Sequence, residues 1–305
     1  MIKRTLLFSN RAFLSLKDNQ LLVDKPKIEG VQEAQKITVP IEDLGVVLLD
    51  SHQITLTHPL LNALVENNTA LVICNQKHMP SGLFLPLETN TLQQERQSKQ
   101  LNARLPLKKQ LWQQTVQSKI ANQAALLGLR GADTEPMEYF QRSVRSGDPD
   151  NYEGRAAAFY WKNLFGELVD GNFTRGRYDN PPNNLLNYGY AVLRAVIARN
   201  LVGTGLNPTL GIHHHNRYNA FCLADDIMEP YRPFVDRVVL DALHLFDDTT
   251  ELTTEIKRHL LSIPVYDVLI DGKKSPLMIA AQRTTTSLFE CFEGTSRKIV
   301  YPVLN

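Results

Sequence analysis

Cysteine is scarce in this chain. Cys74, Cys222 and Cys291 are the only three among 305 residues; they are far apart, odd in number and set among apolar neighbours. That pattern argues against a disulfide framework or a cysteine metal site and points to reduced core thiols in a cytoplasmic protein. Charge of either sign is not in surplus: 33 Lys and Arg face 32 Asp and Glu, a formal net charge of +1. Wholesale basicity of the histone kind is thereby excluded, although a local basic groove is not. Long apolar runs are missing too. Stretches such as Val46–Leu49 are strand-sized, which excludes a membrane span, and Met1–Leu7 lacks the small-residue cleavage site of a signal peptide. Neither GxxxxGK[ST] nor a post-strand GxGxxG occurs, so the usual nucleotide-phosphate loops are absent. There is no internal repeat and no low-complexity tract.

What is present reads as a globular chain, 43% hydrophobic and 21% charged, long enough for two domains. Residues 1–86 are β-rich. Thr5–Phe8, Ala12–Leu16, Gln20–Val23, Gln35–Pro40, Leu44–Leu49 and Ala70–Cys74 are short β-branched and aliphatic runs broken by Asn, Asp, Gly and Pro. Lys17-Asp18-Asn19 signals a hairpin, and Leu60–Glu66 a short helix. The apolar pattern lapses over residues 87–95, read as a linker. Gln93–Gly128 then shows helical periodicity, with Leu105, Leu107, Leu111, Trp112, Val116, Ile120, Ala124 and Leu127 recurring at three and four. Residues 91–150 hold nine Lys/Arg against six Asp/Glu. Arg96, Lys99, Arg104, Lys108 and Lys109 on this surface suit a phosphate backbone, or are simply a solvated helix face. The expected fold class is α+β: a small N-terminal β-sheet domain, then a larger all-helical domain over residues 96–305.

Three segments of the helical part carry candidate chemistry. After the break at Gly147–Asp150, Glu153 opens a helix; an acid in a first turn suits the helix dipole without any further role. Asp179–Arg199 is a Pro/Asn-rich loop entering an apolar helix, with Asn187, Tyr188, Gly189 and Tyr190 marking close packing. Between His213 and Asp236, three histidines precede a helix expected to start near Asn219 or Ala220, with Asn219 as its cap. On that helix Asp225 or Asp226 shares a face with Glu229. Repulsion on a partly buried acidic face must be offset by a divalent cation or a shared proton. A histidine with carboxylates from separate segments suits Mg²⁺ or Mn²⁺, and zinc also accepts such a set. The structural alternatives are a polar turn for His213–His215, a solvated face for Asp225 and Asp226, and a salt bridge to Arg232 for Glu229.

The blocks YEGRAAAFYW, LLNYGYAVLR, LNPTLGIHHH and LADDIMEPYRPFVD, in this order after a β-rich first part, resemble the CRISPR adaptation integrase, CRISPR-associated protein one, in its type II branch. The resemblance implies a Glu/His/acid metal site. Its glutamate falls on Glu153, its histidine on His214 by the register of Gly211, and its final acid on Glu229. Asp226 is then the first acid of that block, and Asp225 an extra acid able to take the supporting role. His213 and His215 flank the ligand position. The implied activity is Mg²⁺- or Mn²⁺-dependent insertion of short DNA fragments into a repeat array by attack of 3′-hydroxyl ends. The implied partners are double-stranded DNA, a second copy of the chain in a homodimer, the small CRISPR-associated protein two, and other type II adaptation proteins. The β-rich part would serve dimerisation or partner contacts. The alternatives are a structure-selective metal-dependent nuclease and a non-catalytic DNA-binding scaffold.

Overall fold

The computed structural model describes residues 3–26, 35–168, 173–176 and 180–305, and the chain divides into two compact units, Met1–Thr89 and Asn90–Asn305. The first unit holds eight strands and one helix: β1 (Arg4–Phe8), β2 (Ala12–Lys17), β3 (Gln20–Lys25), β4 (Gln35–Pro40), β5 (Leu44–Leu49), β6 (Ile54–Leu56), α1 (His58–Glu66), β7 (Ala70–Cys74) and β8 (Pro80–Phe84). They form two four-stranded sheets, ordered β1-β5-β7-β8 and β4-β3-β2-β6. β5 is buried along its whole length, as its unbroken Leu-Gly-Val-Val-Leu-Leu run requires of a central strand. Asp18 and Asn19 adopt the left-handed conformation that closes the β2–β3 hairpin. Leu14, Leu21, Leu44, Leu60 and Leu64 make the centre of this unit's core. β6 and β8 were not legible in the sequence, being three residues long and Pro/Gly-bearing respectively.

The second unit is helical: α2 (Gln93–Leu101), α3 (Leu105–Leu129), α4 (Glu135–Ser143), α5 (Tyr152–Leu164), α6 (Asn183–Gly203), α7 (Cys222–Met228), α8 (Arg232–Leu245), α9 (Thr254–Leu260) and α10 (Leu277–Glu293), with a hairpin of β9 (Asp267–Ile270) and β10 (Lys273–Pro276) before α10. The periodicity over 93–128 therefore belongs to two helices. Arg104 is extended and caps a new helix, and Pro106 stands in the first turn of α3, where its missing N–H is not needed. Residues 93–95 of the expected linker are already helical. Asp179, where the sequence reading begins the loop ahead of α6, lies outside the described residues.

α6 is the helix around which this unit packs. Fifteen of its 21 residues are buried, as an all-round apolar helix demands. Gly189 lets α8 approach: a Cβ there would lie 2.6 Å from Val235 Cγ1. The last residues run extended along the body. Val303 N donates to Leu269 O at 2.8 Å, and Leu304 N donates to the buried Asn122 Oδ1 at 3.0 Å. Asn122 Nδ2 in turn donates to Pro230 O at 2.7 Å and Pro302 O at 3.0 Å, so α3 fixes both the tail and the turn that carries Glu229. Among the described residues no helix is long and apolar enough to cross a membrane.

Candidate metal and nucleic-acid site

Glu153 stands in the first turn of α5, and the chain ahead of it is built to hold it there. Asp148 accepts hydrogen bonds from Tyr152 N and Glu153 N, both at 2.9 Å, and Asn151, in the left-handed conformation, accepts one from Gly154 N. Three of the free N–H groups of the helix start are thus met by side chains.

Glu229 stands where α7 passes through a short 3-10 turn, Glu229–Tyr231, into α8. Pro230 and Pro233 cannot donate to an unbroken helix, which is the reason for the turn. The predicted start of α7 at Asn219 or Ala220 is not what forms. The helix begins at Cys222, and Asn219 makes a separate turn, accepting from Phe221 N at 2.9 Å and donating to Asp225 Oδ2 at 2.7 Å. Pro208 O accepts from Leu223 N, meeting a donor that the expected cap would have served.

Asp225 and Asp226 are buried, so neither is the solvated face that one reading of the sequence allowed. Their roles separate. Asp226 accepts hydrogen bonds from the backbone N–H groups of Ile212 (2.7 Å), His213 (3.0 Å) and His214 (3.2 Å), and His214 Nδ1–H donates to it at 2.5 Å. Its carboxylate is fully used in shaping the histidine loop. Gly211 makes room for this, because a Cβ there would overlap the His214 carbonyl oxygen and sit 2.9 Å from Asp226 Oδ2. Asp225 instead pairs with Arg194 Nε at 2.6 Å and does not touch His214.

With Nδ1 held by Asp226, His214 keeps Nε2 for a ligand, the usual division of labour in a metal-binding imidazole. The hydrogen bond to Asp226 raises its pKa above the ordinary histidine value. Burial lowers that of His213, which lies flat on Trp112 with ring centroids 4.1 Å apart. All three residues are exposed, and contact sets them apart: His213 stacks on Trp112, and only His214 is braced by a carboxylate.

Glu153 and Glu229, from separate helices, meet at one cation. Lys119 of α3 places its Nζ 2.7 Å from Glu153 Oε1 and 2.6 Å from Glu229 Oε2. Arg232 Nε donates to the other oxygen of Glu229 at 2.8 Å. Burial alone would raise the Glu229 pKa; Arg232 and Lys119 outweigh it and hold the carboxyl at about 2. Burial would likewise lower the Lys119 pKa, and Glu229 and Glu153 reverse this. Glu229 Oε2 is buried, and its close partner is the Lys119 ammonium. An ammonium held between two carboxylates beside a braced imidazole marks a position whose charge and donor set fit a hard divalent cation. Among the described residues no three of His, Cys, Asp and Glu stand close enough to hold a metal as placed, because the ammonium fills the space between the acids.

Beside Glu229 opens a cavity of about 430 Å³ lined by Arg175, Tyr190, Arg194, His214 and Arg232 among others. Behind it, buried Asp236 accepts hydrogen bonds from Tyr160 (2.6 Å) and Tyr190 (2.5 Å), and the Arg232 guanidinium lies 4.5 Å over the Tyr190 ring. The residues that sequence reading left out of the site are therefore Lys119, Arg232 and the Tyr–Asp–Tyr group. A signal for Lys119 existed: it shares the helical face of Trp112, Val116 and Gln123, all buried. The five basic residues proposed for DNA do not form one set. Arg96 donates to Thr204 O at 2.7 Å and lies over Phe289, and Lys99 pairs with Glu95 and Glu293, whereas Arg104 and Lys109 are exposed and Lys108 half-buried.

The family model described as CRISPR associated protein Cas1 matches residues 5–249. A CRISPR-associated endonuclease Cas1 from Neisseria meningitidis serogroup C (strain 8013) is 39% identical over 292 residues, covering 94% of this chain and 91% of the relative. Among solved structures, a casposase bound to integration product has a TM-score of 0.79 at 18% identity, covering 98% of this chain and 92% of its own. A Cas6-RT-Cas1–Cas2 complex chain gives 0.77 at 21%, covering 99% of this chain and 36% of its own. At those identities the structural likeness is one of fold, an N-terminal β-sheet part followed by a helical part. The family match and the Neisseria relative go further: this chain belongs to the CRISPR associated protein Cas1 family.

Proposed function

We propose that this chain is a metal-dependent DNA integrase of CRISPR spacer acquisition, joining short DNA fragments to a repeat array through their 3′-hydroxyl ends. The observation that carries the reading is the convergence of Glu153 and Glu229 on one buried cation position beside a carboxylate-braced His214. These three side chains would hold a Mg²⁺ or Mn²⁺ ion, which when bound would supply Lewis acidity toward a 3′-hydroxyl and the attacked phosphate. Asp226 orients His214 by fixing Nδ1 and the backbone around it. Arg194 and Arg175 line the cavity, Arg194 paired through Nε with Asp225 and Arg175 bonded to Asn183 and Asn187, and we assign their remaining N–H groups to phosphate oxygens. Arg104, Lys108 and Lys109 track the DNA backbone further out, and Arg96 and Lys99 serve mainly to tie α2 to the body.

The chain acts on double-stranded DNA as a homodimer with a Cas2-type partner, as the assembly named for one of its structural neighbours suggests, and with other adaptation proteins of a type II system. The β-rich first unit serves dimerisation or partner contacts, and the helical unit from Asn90 onward is the catalytic domain. The endonuclease name of the Neisseria relative favours a second reading of the same site, in which water replaces the 3′-hydroxyl. An in vitro integration assay with a repeat-bearing plasmid, Mn²⁺ or Mg²⁺, and the small partner present or absent distinguishes them: transesterification joins strands and hydrolysis leaves free ends. Glu153→Gln, Glu229→Gln and His214→Ala are each expected to lower strand transfer by roughly a hundredfold or more. Retained joining by these variants would sink the site.

A further inference from the structure

The Glu153–Lys119–Glu229 arrangement has more in it than a ligand pair. Lys119 rises from the buried face of α3, its side chain 10% exposed, and its Nζ contacts one oxygen from each glutamate. Two cations, Lys119 and Arg232, balance two carboxylates, Glu153 and Glu229. Adding a divalent ion to that balanced group would set it against an ammonium at contact distance in a buried setting, which is strongly unfavourable. Exchanging the ammonium for the ion removes the clash.

The two native cations are not equally free to leave. Arg232 is held by Glu229 Oε1 and by the Tyr190 ring, and it belongs to the first turn of α8. Lys119 places its ammonium at the end of a flexible four-carbon stem, 2.7 Å from Glu153 Oε1 and 2.6 Å from Glu229 Oε2, so rotation about the stem can withdraw it without moving α3. From this asymmetry we infer that Lys119 is the resident cation of the metal-free site: its ammonium holds Glu153 and Glu229 together until a divalent ion displaces it. The inference rests on the reading of those two glutamates as metal ligands. It gives Lys119 a positioning role, keeping the acids buried and near each other without metal, at the cost of weaker metal binding.

The test uses the full chain without DNA and titrates Mn²⁺ by calorimetry into wild type, Lys119→Met, Lys119→Gln, Glu153→Gln and Glu229→Gln. Neutralising Lys119 is expected to tighten Mn²⁺ binding roughly tenfold or more, to lower the melting temperature of the metal-free protein, and to enlarge the rise in melting temperature that Mn²⁺ produces. Unchanged or weaker binding in folded Lys119 variants, with both glutamine variants impaired, overturns the inference and leaves the site intact. Glutamine variants that bind Mn²⁺ like wild type overturn the site itself and the inference with it. A second measurement on wild type decides the matter should the lysine variants not fold. Reductive methylation read by peptide mass spectrometry should label Lys119 several-fold faster with saturating Mn²⁺ than without. Equal labelling while calorimetry reports binding would show that the ammonium stays in place.

Discussion

Asp226 and Asp236 are both buried acids, and they do different work. Asp226 answers four donors around the histidine loop, so replacing one oxygen with an amide sets a donor against donors. Asp226→Asn should weaken Mn²⁺ binding by roughly 10–100-fold through misplacement of His214, read by calorimetry; unchanged affinity would mean that the imidazole needs no brace. Asp236 answers only two tyrosine hydroxyls, and burial pushes its pKa from 3.8 up to about 6. The native state therefore holds this proton more tightly than the unfolded chain. Its ionisation costs stability progressively as pH rises from about 4 to 6, by about 3 kcal/mol in all, and the cost vanishes when pH falls below the unfolded value. Denaturant melts across pH 4–6.5 should show wild type losing stability relative to Asp236→Asn by that order. Parallel profiles would mean that the carboxyl is not protonated in the fold. Glu153, His214 and Glu229 were singled out through block resemblance. Lys119 was passed over although it shares the helical face of Trp112 and Val116, because a lysine within a basic, glutamine-rich helix reads as solvated.

At the scale of elements, α6 and α8 set the distance between the cavity wall and the turn that bears Glu229. Gly189→Ala would drive a Cβ into Val235, at a cost of about 1–3 kcal/mol if the helices part to accommodate it. Chemical denaturation checks the magnitude, and a stability equal to wild type would mean that the contact yields freely. Six of the eight strands described in the first unit, and most helices, could be read from periodicity and turn residues, since each is decided by local pattern. The break between α2 and α3 was hidden because Gln93–Gln100 holds no apolar residue to set a helical phase, while Leu101 precedes Leu105 by the four residues of one turn. The late start of α7 was hidden because Asn219 is as good a turn former as it is a cap.

For the whole molecule, a formal charge of +1 leaves little long-range attraction to DNA, so binding depends on where the cations sit. Replacing Arg104, Lys108 and Lys109 with alanine should reduce the steepness of the salt dependence of DNA binding by roughly one per residue, across all sequences alike. Fluorescence anisotropy from 50 to 200 mM salt measures this slope. An unaltered slope would move the DNA path away from the start of α3.

By itself the amino-acid order determined the α+β class and the order of its elements, because helical period and strand alternation are properties of neighbours along the chain; the candidate site residues came from the resemblance of four sequence blocks. Tertiary structure alone decided that Glu153 and Glu229 face one point, that Lys119 stands at that point, and that Asp226 rather than Asp225 braces His214. Those facts depend on how α3, α5 and α7 pack: spacing puts Lys119 on the face of Trp112 and Val116, but only packing sets two carboxylates against it and makes it a buried counter-charge.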